Sequence, residues 1–292
     1  MTDWATFAAA TVVLTLLLLY FTRRSQRTLD RVRIVDSRSQ IGVSDGGATE
    51  TVRAAASDSD GSAPITTDDN SVAGPSKHRD EPVLTTAALL ANAAVSQLLA
   101  FVLLAGIVWW TAVPPSAFGI GGETAALGSA GSFALGSLGV VSAVGVGVAV
   151  GGALYVGNEA FAGFGARVGV SPSERLREAM APEDARGWAL LLGVVLPIVA
   201  AFEEALFRGA LIGALAVGFA VDPWLLAVGS SVAFGLGHGA QGRLGVLVAG
   251  VLGFALAAVF VLTGSLLVAI AAHYVVNALE FIVREGFGIE PI

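Results

Sequence analysis

Ionisable and amide side chains interrupt the apolar C-terminal third of this sequence in three segments, AFEEALFRG, AFGLGHG and AAHYVVNALE. Such groups cost several kcal/mol on a lipid-facing surface unless they are paired or face a polar cavity. We therefore expect them to gather in one polar site between packed helices. The residues concerned are Glu203, Glu204, Arg208, His238, His273 and Asn277.

Helical spacing separates the two adjacent glutamates. Glu204 and Arg208 are four residues apart and share a helix face, whereas Glu203 is rotated by about 100°. Arg208 is therefore predicted to pair with Glu204, which leaves Glu203 as the candidate general base. The alternative is a buried Glu-Arg pair that only fixes helix packing.

His273 and Asn277 are also four residues apart, so their side chains point the same way and can hold a water or an oxyanion. Glu280 shares that face near the helix end. A histidine in a packed bundle also serves as a plain contact between helices, and the same alternative applies to His238. Two carboxylates, two histidines, an arginine and an asparagine together favour activation of a water, and hence hydrolysis.

The elements that must position these residues are membrane helices. The 292 residues are 55% hydrophobic and 13% charged, and the mean hydropathy is +0.77. We predict an all-α, polytopic transmembrane helix bundle of about seven helices, within a range of six to eight. The apolar runs cover residues 4–21, 83–113, 133–156, 188–220, 223–238, 244–262 and 266–283.

Two of these runs are rich in glycine. Residues 188–220 are predicted to form one long kinked helix or a helix plus a half-helix, because Gly209 and Gly213 weaken the second part. The sequence GVGVAVGG in the third run predicts a helix whose small residues let its neighbours approach closely.

Composition divides the chain into four regions. Residues 1–22 are predicted to be an N-terminal transmembrane anchor, and residues 23–82 a disordered linker that is basic and then acidic. Residues 83–187 would hold transmembrane helices and a cytoplasmic loop at residues 157–187, with a solvated helix in SPSERLREAMAPEDARG. Residues 188–292 would form the catalytic helix core.

The arginine distribution predicts the orientation, because cytoplasmic loops collect basic residues. It puts the N-terminus outside, the linker and the 157–187 loop in the cytoplasm, and the chain in the cell membrane as a multi-pass protein. Counting along the apolar runs puts Glu203 roughly 22 Å from the cytoplasmic start of its helix but His238 near the cytoplasmic end of its own. The sequence thus predicts a mismatch in depth.

Composition also excludes several classes of protein. The chain has no cysteine, which excludes disulfides, thiolate metal sites and a cysteine nucleophile. The net charge of −7 argues against binding to nucleic acid. A single lysine in an acidic chain is typical of proteins from halophiles.

Three motifs in order resemble those of the CPBP family, the CAAX prenyl protease and bacteriocin-processing intramembrane proteases. They are Glu203-Glu204-x-x-x-Arg208-Gly209, Phe234-x-x-x-His238 and His273-x-x-x-Asn277. The resemblance covers about residues 188–283. It implies that Glu203 and His238 activate the attacking water, that Glu204 and Arg208 support that site, and that His273 and Asn277 stabilise the oxyanion.

The resemblance leaves cofactor and substrate open. Its glutamate-dependent branch needs no metal, and no cofactor is favoured, although Glu203, His238 and His273 are the ligands that a zinc site would use. The expected partners are the lipid bilayer and a hydrophobic peptide or the tail of a membrane protein. The alternatives are a catalytically silent scaffold or immunity protein of the same family and, third, a transporter.

Overall fold

The computed structural model describes residues 1–29, 85–121, 139–167 and 173–289, and within these ranges every regular element is helical. Of the eight helices in these ranges, six are long and apolar enough to cross a membrane, and Pro223–Gly237 is a shorter apolar helix. The predicted polytopic helix bundle is confirmed; the greater part of the predicted linker lies outside the described residues. The helices are α1 Trp4–Leu29, α2 Thr86–Thr111, α3 Val140–Arg167, α4 Arg175–Met180, α5 Ala185–Phe219, α6 Pro223–Gly237, α7 Gly242–Thr263 and α8 Leu266–Phe281.

Helix α5 is one continuous helix of 35 residues. Its turns widen to π geometry at Leu191–Val195 and again at Ala205–Ala214. The second wide segment starts directly after Glu204 and carries Arg208, and such segments often occur at functional sites. Of the two predicted forms for this run, the structure has the single helix.

Gly209 and Gly213 do not end α5; they make room for a neighbouring turn to pack against it. A short 3₁₀ turn, Pro115–Phe118, follows α2 and packs against α5. A Cβ atom at Gly209 would overlap the Phe118 ring, and one at Gly213 would overlap the backbone oxygen of Ala117. The small residues therefore allow this turn to pack closely against the segment of α5 that carries Arg208.

Small residues also bring α3 against α8; the sequence predicted a close approach at these glycines but not the helix that makes it. A Cβ atom at Gly147 would lie 2.8 Å from the backbone oxygen of Val268, and one at Gly151 would lie 2.6 Å from that of Ala272. Glycines four apart let two membrane helices approach at backbone distance. This packing fixes the position of α8, which carries His273.

The predicted loop at residues 157–187 is shorter than expected, because α3 continues as a helix to Arg167. Arg284 explains the difference: its Nη2 donates to both carboxylate oxygens of Glu159, at 3.0 and 2.9 Å. The charge of Glu159 is thereby balanced, so the helix continues through it. The predicted solvated helix is also interrupted, since α4 ends at Met180 and α5 begins at Ala185.

Among the described residues, connections that the charge pattern predicted on the same side of the membrane lie at the same end of the bundle. At one end, the backbone N–H of Asp3 donates to Thr111 O at 2.9 Å, and that of Leu266 donates to Gly119 O at 3.2 Å. At the other end, the N–H of Ser173 donates to Gln241 O at 3.1 Å. The relative grouping follows from these contacts, and the side of the membrane that each end faces stays a prediction.

Arg177 of α4 ties three carboxylates together at the second end. It pairs with Glu174 at 2.9 Å and with Glu280 and Glu285 at 3.0 Å each. Burial alone would lower the pKa of Arg177, but the hydrogen bond to Glu285 and the charges of Glu280 and Glu174 raise that pKa above its usual value. The guanidinium therefore stays charged and holds α4 to the end of α8.

Candidate active site

Glu204 is fully buried and joins two helices. Its Oε1 accepts hydrogen bonds from Nη1 of Arg208 and from Nδ1 of His273, each at 2.7 Å. The predicted Glu204-Arg208 pair is present, and the bond to His273 connects α5 to α8. Charge-assisted bonds of this length are among the stronger polar contacts in proteins.

Arg208 is held by two further contacts. Its Nη2 donates to the backbone oxygen of Gly253 on α7 at 2.9 Å. Its guanidinium lies 4.7 Å from the centroid of the Phe234 ring on α6, a cation-π geometry. Arg208 therefore links α5, α6 and α7 around the buried carboxylate.

Glu203 has two carboxylate oxygens in different surroundings. Oε1 accepts a hydrogen bond from Nε2 of Gln97 on α2 at 3.3 Å. Oε2 lies 3.8 Å from Nε2 of His273, and this buried oxygen accepts no hydrogen bond from the described residues. Glu203, Glu204, Arg208 and His273 thus form one contiguous cluster, which we call the polar cluster.

Phe234 lies between His238 and the polar cluster. It lies just after the last residue of α6, and its Nδ1 is 2.9 Å from the backbone oxygen of Phe234. A carbonyl only accepts, so Nδ1 carries the proton and Nε2 is left for other partners. The Phe234 ring lies 4.5 Å from the His238 ring and 5.9 Å from the His273 ring.

Asn277 lies one turn beyond His273, is half-buried, and makes no hydrogen bond within the part of the chain that the structure describes. Glu280, which shares this face in the sequence, binds Arg177 at 3.0 Å and so belongs to the ion pairs at the end of the bundle.

The predicted mismatch in depth is wrong, because α5 begins early and α6 is short. Glu203 lies 16 residues before the end of α5 at Phe219, which is about 24 Å along the helix. His238 follows the 15 residues of α6, which span about 22 Å from the same end of the bundle. The glutamates and His238 therefore lie at similar depth.

The three candidate zinc ligands, Glu203, His238 and His273, make separate contacts in the structure. Among the described residues, no group of three His, Asp or Glu side chains is arranged to hold a metal ion. Both nitrogens of His273 face carboxylates, 2.7 Å from Glu204 and 3.8 Å from Glu203. Nδ1 of His238 is bound to a backbone oxygen. These contacts of Nδ1 leave Nε2 of each histidine for other partners, so metal dependence stays a prediction.

An apolar cavity of about 1290 Å³ lies beside α5. It is bounded by parts of α2, α3, α5 and α8, and its wall includes Ala201 and Ala205, which flank the two glutamates along the helix. The lining is mainly hydrophobic and contains no residue of the polar cluster, so the cavity suits an apolar guest that lies against this part of α5.

Sequence reasoning missed two partners in this site. Gln97 lies more than a hundred residues before Glu203, and Gly253 contributes only a backbone oxygen, which no residue type reveals. A glutamine within an apolar membrane helix is a signal, since its amide needs a partner in lipid. Phe234 was part of the recognised motif, but its position between Arg208 and both histidines was not foreseen.

Residues 185–279 match the family model described as type II CAAX prenyl endopeptidase, Rce1-like. The match runs from the start of α5 into α8 and contains every residue of the polar cluster, as well as His238 and Asn277. It confirms the resemblance to the CPBP intramembrane proteases, and at the level of the family it indicates a membrane-embedded endopeptidase. No curated protein and no solved structure matches the chain significantly.

Proposed function

We propose that this multi-pass membrane protein is an intramembrane endopeptidase that hydrolyses a peptide bond with a water activated by Glu203 and His238. The observation that supports this most is the difference between the two glutamates. Oε2 of each is buried without a hydrogen bond from the described residues, but Glu204 is held by Arg208 and His273 through its Oε1, whereas Glu203 is bonded only to Gln97. A buried carboxylate oxygen without a protein donor is a proton acceptor placed for a water.

The proposed reaction moves one proton through Glu203, from the water to the departing amine. Oε2 of Glu203 accepts a proton from the water as the water oxygen attacks the carbonyl carbon of the peptide bond. Nε2 of His238, left free by the bond from Nδ1 to Phe234, orients that water. When the carbon-nitrogen bond breaks, Glu203 returns the proton to the departing amine.

In this proposal, His273 and Asn277 stabilise the negative charge that develops on the carbonyl oxygen. The Nδ1 proton of His273 is bound to Glu204, so Nε2 donates to an oxyanion only when the ring carries both protons. The amide of Asn277 donates in any protonation state. Glu204 and Arg208 keep the imidazole in place and do not take part in proton transfer.

We further propose that the reaction needs no metal and that the substrate is a hydrophobic peptide or the tail of a membrane protein. The i+4 partner of His273 is Asn277, a poor zinc ligand and a good oxyanion donor, which supports the metal-free interpretation. The apolar cavity beside the glutamates supports a hydrophobic substrate. The predicted location is the cell membrane.

The test is cleavage of hydrophobic peptides and membrane-protein tails by purified protein in proteoliposomes, with fragments identified by mass spectrometry. Wild type is expected to cleave, and Glu203→Gln, which keeps the shape of the side chain but loses the base, is expected to show background cleavage only. Asp222→Asn, at the N-terminus of α6 and remote from the polar cluster, is the control and should keep its activity.

The same experiment separates the alternatives. A scaffold or immunity protein would bind a peptide in the proteoliposomes without producing fragments, in both wild type and Glu203→Gln. A transporter would move a solute or protons across the vesicle membrane and leave peptides intact. Either result would contradict the proposed function.

A further inference from the structure

Gln97 is the polar residue by which α2 reaches the polar cluster. It is half-buried in a stretch of α2 whose other side chains include the lipid-exposed Val95, Leu98 and Leu99. Its Nε2 donates to Oε1 of Glu203 at 3.3 Å, across 106 positions of sequence. An amide in a membrane helix must find a partner, and here the partner is the proposed general base.

The bond distinguishes the two oxygens of Glu203. Oε1 is held by Gln97, while Oε2 is buried, accepts no hydrogen bond from the described residues and lies 3.8 Å from His273 Nε2. A carboxylate fixed at one oxygen cannot rotate freely about its last torsion angle, so the other oxygen keeps one direction. Without that bond, Glu203 is anchored to its helix only through a flexible side chain.

We propose that Gln97 is a positioning residue, which holds Oε1 of Glu203 so that Oε2 is presented to the attacking water. This inference rests on the proposed function and extends it beyond the segment matched by the family model. Gln97 lies outside residues 185–279, so the working site includes a residue of α2 that the matched segment lacks.

A positioning role predicts a change in turnover and not in substrate binding. In Gln97→Met the side chain keeps a similar length but has no donor. We expect kcat to fall about 10- to 100-fold, as small misplacements of a catalytic group do, with KM within about twofold of wild type. The melting temperature in detergent should stay near that of wild type, because the lost bond is single and only half-buried.

The matched control is Ser96→Ala, one position earlier on α2. The Ser96 hydroxyl donates to Ala93 O on its own helix and is exposed, so this variant should keep the kcat of wild type. If Gln97→Met does not fold, Gln97→Leu replaces it, because the introduced side chain also has no donor for Glu203 and adds no charge beside it. A similar loss of kcat is expected there.

Three results would overturn the inference: an unchanged kcat in the folded Gln97 variant, a rise in KM at constant kcat, or a loss equal to that of Ser96→Ala. Wild type without activity, in contrast, would contradict the proposed function itself. The two failures are therefore distinguishable in one set of assays.

Discussion

At the scale of single residues, the site depends on charges that are buried together. Glu204 is fully buried and Arg208 is 1% exposed, so neither charge has water to stabilise it. Their mutual bond, the bond to His273 and the contact with Gly253 O replace part of the lost hydration, while Oε2 of Glu204 and Nε of Arg208 have no hydrogen-bond partner among the described residues. A buried pair of this kind adds little net stability, but breaking it is costly.

Arg208→Ala should therefore lower stability as well as activity. The substitution leaves Glu204 as a buried carboxylate with one partner fewer, which typically costs about 3–5 kcal/mol. Thermal unfolding in detergent measures the loss, and adding Glu204→Gln to Arg208→Ala should recover part of it, because the stranded charge is then removed. Full thermal stability in Arg208→Ala would show that the pair does not balance a buried charge.

His238→Ala should remove activity but spare the fold. Its ring makes one hydrogen bond to its own helix and lies against Phe234, so few contacts are lost. Loss of a group that orients the attacking water is expected to lower kcat about 10²- to 10⁴-fold. Circular dichroism and the melting temperature provide the folding control, and turnover equal to wild type would contradict the role assigned to His238.

At the scale of the elements, the sequence predicted contacts that depend on spacing within one helix. The Glu204-Arg208 pair and the close approach through Gly147 and Gly151 both follow from residues four apart. The contact of Gln97 with Glu203 depends on how α2 packs against α5, which no local pattern encodes. The length of α3 was missed for the same reason, because Glu159 is neutralised by the distant Arg284.

The packing of α3 on α8 gives a prediction with a matched control on the same helix. A Cβ atom at Gly151 would lie 2.6 Å from Ala272 O and 2.8 Å from the Cβ atom of Val275, whereas one at Gly152 would meet nothing within 4 Å. Gly151→Ala should destabilise the protein by about 1–3 kcal/mol through overpacking.

Activity should fall in the same variant, because α8 carries His273 next to the displaced Ala272. Gly152→Ala should keep both the melting temperature and the activity of wild type. Equal behaviour of the two variants in thermal unfolding and in the cleavage assay would show that α3 does not fix the position of α8.

At the scale of the whole molecule, the bundle has two chemically different ends. One contains Asp3, Thr111 and Gly119, and the other contains the ion pairs of Arg177 and Arg284. Basic residues collect on the cytoplasmic side of membrane proteins, so the second end is predicted to face the cytoplasm.

Cysteine labelling tests this orientation, because the chain has no cysteine of its own. Ile120, at the first end, and Glu183, in the turn between α4 and α5, are both exposed. A membrane-impermeant maleimide added to intact cells should label Ile120→Cys but should label Glu183→Cys only after the membrane is permeabilised. The reverse pattern would invert the topology.

The most direct measurement of the central claim is turnover by protein from which metal has been removed. Chelator-treated wild type, shown to be metal-free by elemental analysis, should cleave its peptide at the untreated rate, while Glu203→Gln should remain at background under the same conditions. In the proposed mechanism, Oε2 of Glu203 takes the proton of the attacking water, and no metal is needed to lower the pKa of that water. Activity that disappears on chelation and returns with zinc, together with loss of the bound metal in Glu203→Ala or His238→Ala, would contradict this account.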